Sequence, residues 1–88
     1  MNLELTLATL ADEHLEKMSA VGWYNYAKAL NEKRRGETFG CEIDGIYFDV
    51  GDKFEWEVQT GGPIRLTAFA YTSEQRIERS IILKEKSG

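Results

Sequence analysis

The hydrophobic rhythm of the chain changes at Gly36. Upstream, from Asp12 to Arg35, apolar and small residues recur at Leu15, Met18, Gly22, Tyr26, Ala29 and Leu30. Steps of three and four keep such side chains on one side of an α-helix, so this stretch predicts an amphipathic helix with a buried stripe. Thr9 and Asp12 are spaced as a capping arrangement: the hydroxyl can accept an orphan amide, and the acid favours the helix dipole. Lys33, Arg34 and Arg35 before Gly36 supply a cationic last turn and a permissive stop. Gly22 weakens the stripe by ~1 kcal/mol relative to alanine. It either allows close packing or divides the region into two shorter helices, with Ser19 capping the second. Residues 2–10 fit two patterns. Leu3, Leu5 and Leu7 alternate as in a strand, whereas Leu3, Leu7, Leu10, His14 and Met18 form a helical stripe capped by Asn2. Leucine's helix preference and the lack of a turn signal before Asp12 favour the helix.

Downstream the period is two. Phe39, Cys41 and Ile43 alternate up to Asp44-Gly45, the dipeptide of type I′ hairpins. Ile46, Phe48 and Val50 follow, then Gly51-Asp52 as a second turn signal. Phe54, Trp56 and Val58 alternate against Lys53, Glu55, Glu57 and Gln59, and Gly61-Gly62-Pro63 forces a reversal. Ile64, Leu66, Ala68 and Ala70 begin the next strand, and Ile77, Ile81 and Leu83 the last, with a turn at Ser73 to Gln75. Connections this short favour an antiparallel meander, since parallel pairing needs crossovers of a dozen or more residues. The pattern therefore predicts one α+β domain over residues 1–88, with 1–36 mainly helical and 37–88 in antiparallel strands. The helical segments cover one face of a four- to five-stranded sheet; a small curled barrel with an N-terminal helix is the alternative.

Composition narrows the function classes. A chain of 88 residues holds one core, and 42% hydrophobic with 30% charged residues excludes wholesale disorder. No apolar run approaches the ~20 residues of a membrane span, and no signal-peptide pattern opens the chain. The expectation is a cytoplasmic protein with no membrane partner. Cys41 is the only cysteine, which excludes an internal disulfide and cysteine-built zinc sites.

The net charge of −4 is unevenly spread. Residues 1–36 balance, whereas residues 37–62 hold Glu37, Glu42, Asp44, Asp49, Asp52, Glu55 and Glu57 against Lys53 alone. Such a segment repels phosphate backbones and attracts basic surfaces. Alternation sends Glu55 and Glu57 to one strand face about 7 Å apart, a solvated arrangement unsuited to raising a carboxyl pKa for acid catalysis. Asp49 and Asp52 flank Gly51 without the spacing of a calcium loop, and Asp52 reads as a turn residue. His14 is the only histidine and lies far in sequence from Cys41, so the two read as a structural or solvent-facing imidazole and a buried thiol. Gly61-Gly62 lacks the spacing of a phosphate cradle. No cofactor, metal or catalytic group is expected.

Trp23, Tyr24 and Tyr26 fall within one helical turn, and one face cannot bury all three. With Tyr26 at the centre of the stripe, Trp23 sits at its border and Tyr24 roughly opposite. Phe69 and Tyr71 share a strand face with Arg65 and Thr67, opposite Ile64 and Leu66, and would be partly exposed if that other face meets the helix.

These features favour a small acidic protein-binding module, an inhibitor or adaptor of a larger basic or nucleic-acid-handling protein. Asp49, Asp52, Glu55 and Glu57 would form its electrostatic face, with Trp23 and Tyr24 as anchors. The alternative is a small nucleic-acid-binding domain using the basic helix end, Lys28, Lys33, Arg34 and Arg35, with exposed aromatics. The acidic balance opposes that approach to phosphates. A homodimer is compatible with either.

Overall fold

Asn2 starts the first helix: its side-chain carbonyl accepts the Leu5 amide at 3.1 Å, which satisfies one of the orphan donors of the first turn. The computed structural model describes residues 2–85. Helix α1 runs Leu3–Val21, so residues 2–10 are helical and Thr9 lies inside the helix instead of capping it. Gly22, at φ 94°, ends α1 and serves as the N-cap of α2, Trp23–Asn31. An L side chain is strained at that φ, and the break reorients the stripe without a polar cap. Ser19 does not cap α2; its hydroxyl donates to the Glu16 carbonyl within α1. Nor does the second helix reach Gly36. It closes at Glu32, with Lys33 left-handed at φ 65°, and leaves Lys33, Arg34 and Arg35 in an exposed loop.

Four strands follow: β1 Thr38–Ile43, β2 Ile46–Trp56, β3 Ile64–Tyr71 and β4 Arg76–Leu83. They pair antiparallel in the order β1-β2-β3-β4, an open meander, so the barrel alternative does not hold. Asp44 and Gly45, at φ 50° and 79°, form the two-residue hairpin and set Ile43 opposite Ile46. The five-stranded version fails at Gly51-Asp52, which lies mid-strand in the 11-residue β2. Gly51 is needed there for space. It is opposite Phe69 on β3, and a Cβ would strike the Phe69 ring at 2.6 Å. Val58 lies beyond β2 and is 83% exposed instead of continuing the inward row of Phe54 and Trp56.

Both helices cover one sheet face, where the core falls into two clusters. Met18, Tyr26, Ala27, Ala29, Phe54, Ile64, Leu66 and Ala68 form one; Leu7, Ala11, Phe48, Val50 and Ala70 form the other. Leu7, Phe48, Ile64 and Leu66 are fully buried, each worth ~1.5–3 kcal/mol of transfer free energy. The opposite sheet face covers itself with its own side chains. Phe69 is buried there under the Arg76 guanidinium, 4.4 Å from its ring centroid, so it is not an exposed stacking surface beside Arg65. No described helix is long and apolar enough to cross a membrane.

Candidate functional site

The break at Gly22 turns Trp23 toward the Trp56 end of β2. Its indole N–H donates to the Gly62 carbonyl at 2.9 Å, tying α2 to the β2–β3 loop, and its ring stands 6.0 Å from that of Trp56. Tyr24 packs edge-on against Trp23 at 5.2 Å and remains 66% exposed. Its hydroxyl donates to Glu85, and this bond together with the carboxylate charge holds the phenol above its ordinary pKa. Trp23, Tyr24, Lys28, Trp56 and Gly61 border an open hollow of about 500 Å³, with Glu32 also on its wall. An indole fixed by a hydrogen bond, with an exposed phenol beside it, loses little conformational freedom when a partner covers it.

The carboxylates expected to form one face are dispersed. Asp49 is on the sheet face away from the helices, with Glu55 six residues along β2 and Lys53 between them. Asp52 points the other way and is neither a turn residue nor available to a partner. The His14 Nε2 lies 2.7 Å from its Oδ2, and the Glu37 amide donates to Oδ1 at 3.2 Å. An ionised carboxylate accepts only, so the imidazole N–H is the donor. With side chains 15% and 11% exposed, the His14–Asp52 pair pins α1 to β2. Glu57 lies just past β2 and makes a bidentate pair with Arg65, both contacts at 2.6 Å. That hydrogen bonding holds Glu57 below and Arg65 above their ordinary values, and Glu55 adds to the field on Arg65.

The basic residues also separate. Lys28 and Arg34 border a groove of about 570 Å³ between the helices and β2, together with Lys17, His14 and Asp52, whereas Lys33 and Arg35 do not line it. The groove floor is apolar, from Met18, Phe54 and Tyr26. Burial, reinforced by the Asp52 charge, pushes the Tyr26 phenol up to about 12, and its hydroxyl donates to the Met18 carbonyl at 2.7 Å. His14 packs on Phe39, at 5.3 Å, while Cys41 packs with Leu7 and Phe48, so the fold does not join them as a nucleophile and base. Among the described residues, no three His, Cys, Asp or Glu side chains converge as metal ligands.

The sequence pattern picked out Trp23 and Tyr24 but neither Trp56 as their neighbour nor Asp52 as the partner of His14. Trp56 read only as one of a strand row with Phe54 and Val58, and His14 as a structural or solvent-facing imidazole. The signal that Val58 leaves the row was its place beside the Gly61-Gly62-Pro63 reversal, where a strand can stop short. No family model, curated protein or solved structure matches this chain.

Proposed function

We propose that the protein is a binding module without catalysis of its own, docking on a larger protein with a basic surface as its inhibitor or adaptor. The observation that carries this reading is the pre-ordered aromatic patch: Trp23 tied to Gly62, Trp56 beside it, and Tyr24 open to solvent. Buried aromatic anchors inside a polar rim are the usual form of an energetic hot spot. Glu32 and Glu85 lie at this patch, so a basic partner would meet carboxylates at its rim. An interface of ~800 Å² per partner fits on a domain of this size.

The test starts with capture from source-cell lysate before and after nuclease treatment, followed by titration of the purified, identified partner. Tyr24→Ala should weaken that partner at least ~10-fold, the loss of roughly 1.4 kcal/mol or more, with the circular dichroism spectrum unchanged. Glu32→Lys with Glu85→Lys should mainly slow association and reduce its salt dependence. Equal affinity of wild type and Tyr24→Ala would remove the patch from the proposal.

The nucleic-acid reading retains one supporting observation, the shared groove of Lys17, Lys28 and Arg34. If every captured partner is lost on nuclease treatment and Lys28→Glu with Arg34→Glu abolishes binding to single-stranded DNA or RNA at low salt, that reading replaces the first.

A further inference from the structure

Strand β1 ends the sheet with an edge that has little protection. The Asp52 amide donates to the Glu37 carbonyl at 2.8 Å and the Phe54 amide to the Arg35 carbonyl at 3.0 Å. Odd-numbered residues leading into β1 thus turn their backbone groups toward β2. The two-residue turn closing Ile43 on Ile46 keeps the same parity to the end of the strand. The amides and carbonyls of Thr38, Gly40 and Glu42 therefore point outward from the sheet. Natural edges are commonly blunted by charges, proline or bulges. The other free edge, β4, fits that rule with Arg76, Glu78 and Arg79. β1 carries Glu42 alone, and the β1–β2 hairpin exposes Phe39 at 47% and Tyr47 at 62%.

We propose that this edge pairs with β1 of a second copy of the chain, antiparallel, with Cys41 opposite Cys41 across a two-fold axis. In that register Gly40 and Glu42 of the second copy exchange both backbone hydrogen bonds, and the symmetric pair does the same. On the helix-covered side, Phe39 lies opposite Ile43 of the second copy, so the exposed ring gains an apolar neighbour. On the other side, Tyr47 reaches over Gly40: a Cβ at Gly40 would collide with its hydroxyl. That hydroxyl has no hydrogen-bond partner among the described residues. Glu42 of the second copy arrives opposite Gly40, where its carboxylate accepts from the phenol. The one charge on the edge is matched by a free donor, and the two Glu42 side chains stay on opposite sides of the axis. This self-complementarity is what selects a second copy as the occupant. The two sheets become continuous, with both pairs of helices on one side. The surface is separate from the aromatic patch, which lies at the far end of β2.

Sedimentation of the full chain under reducing conditions, from low micromolar to millimolar concentration, tests the pairing. The expected result is a reversible dimer that persists in Cys41→Ser. Glu42→Pro removes an outward amide at an edge position where proline is tolerated, and should weaken the dimer at least ~10-fold. Amide exchange of the wild type provides a second readout that does not depend on the variant folding. The Gly40 and Glu42 amides should become protected as concentration rises, while the outward amides of β4 stay fast. Oxidised glutathione should then link Cys41 to Cys41, each link reducing one glutathione disulfide to two thiols. A monomer throughout the range would overturn the proposal. So would a dimer in which Gly40 and Glu42 exchange freely.

Discussion

The two halves of the sheet, on either side of Gly51-Asp52, are built differently on one continuous strand. The Trp56 half is aromatic and doubly covered: Tyr26 packs on Phe54 at 4.9 Å, and both helices contribute to its core. The Ile46 half rests on α1 alone, through Leu7 and Ala11 against Phe48, Val50 and Ala70. Between them lies a polar seam, the His14–Asp52 pair. A helix bent at Gly22 can cover both halves only if its two arms meet the sheet separately. The seam anchors α1 near the place where the two cores adjoin. The exposed aromatic patch thus stands on the heavily packed half, whereas the open hairpin edge belongs to the thinner one.

Emptying either core is the most forceful way to test this division. Phe48→Ala should cost about 3–5 kcal/mol and Leu66→Ala about 2–5 kcal/mol, read from denaturant midpoints at constant m-value. Both side chains are fully buried, so neither site has solvent to fill the gap cheaply. If the halves are separable, Phe48→Ala should speed amide exchange in β1 and early β2 more than in α2. Uniform acceleration would mean that the seam couples them into one unit.

Breaking the seam comes next in size. Asp52→Ala leaves the His14 N–H without its acceptor in a largely buried place, and should cost about 1–3 kcal/mol. His14→Ala leaves the Asp52 carboxylate holding only the Glu37 amide and should fall in the same range. A double-mutant cycle isolates the coupling between the two, which should be absent if each acts only through its own packing.

This seam is also where sequence reading met its limit. Local patterns fixed the helical and strand halves, the Asp44-Gly45 hairpin and the placement of Tyr26, Trp23 and Tyr24 relative to the stripe. Each depends on residues a few positions apart. Gly51-Asp52 has the same local chemistry as a turn, and what overrides it is distant: the Phe69 ring occupies the space above Gly51, and His14 supplies the partner for Asp52. The Arg35 end of the helix failed for a similar reason. Residues 35 and 37 are drawn into pairing with β2, so the chain must leave α2 early. The aromatic patch was half legible, because Trp23 and Tyr24 are helical neighbours while Trp56 reaches them only through the sheet.

A smaller effect distinguishes the halves by pH. Tyr26 belongs to the Trp56 half, and its phenol is raised to about 12, first by burial and then by Asp52. The folded state therefore keeps a proton that the unfolded chain releases near the ordinary tyrosine value of about 10. Stability from this group is complete below that value and is lost as pH climbs toward 12. Tyr26→Phe should cost about 1 kcal/mol at neutral pH through the lost bond to Met18, and should flatten the alkaline decline. A variant that declined as steeply as the wild type would place the titration elsewhere.

The smallest expected effect concerns the Glu57–Arg65 pair. Its carboxylate is held below its ordinary value chiefly by the Arg65 hydrogen bond, so its contribution is present above the normal glutamate range and fades as pH falls through the lowered value. The pair is solvent-facing, and salt screens it. Glu57→Gln should therefore leave the thermal midpoint at neutral pH nearly unchanged, and any small loss should vanish in high salt. The same change should leave the salt dependence of partner association nearly unchanged, because Arg65 holds Glu57 on the sheet face away from Trp23. A large, salt-independent loss of stability would instead make the pair part of the packing of the Trp56 half.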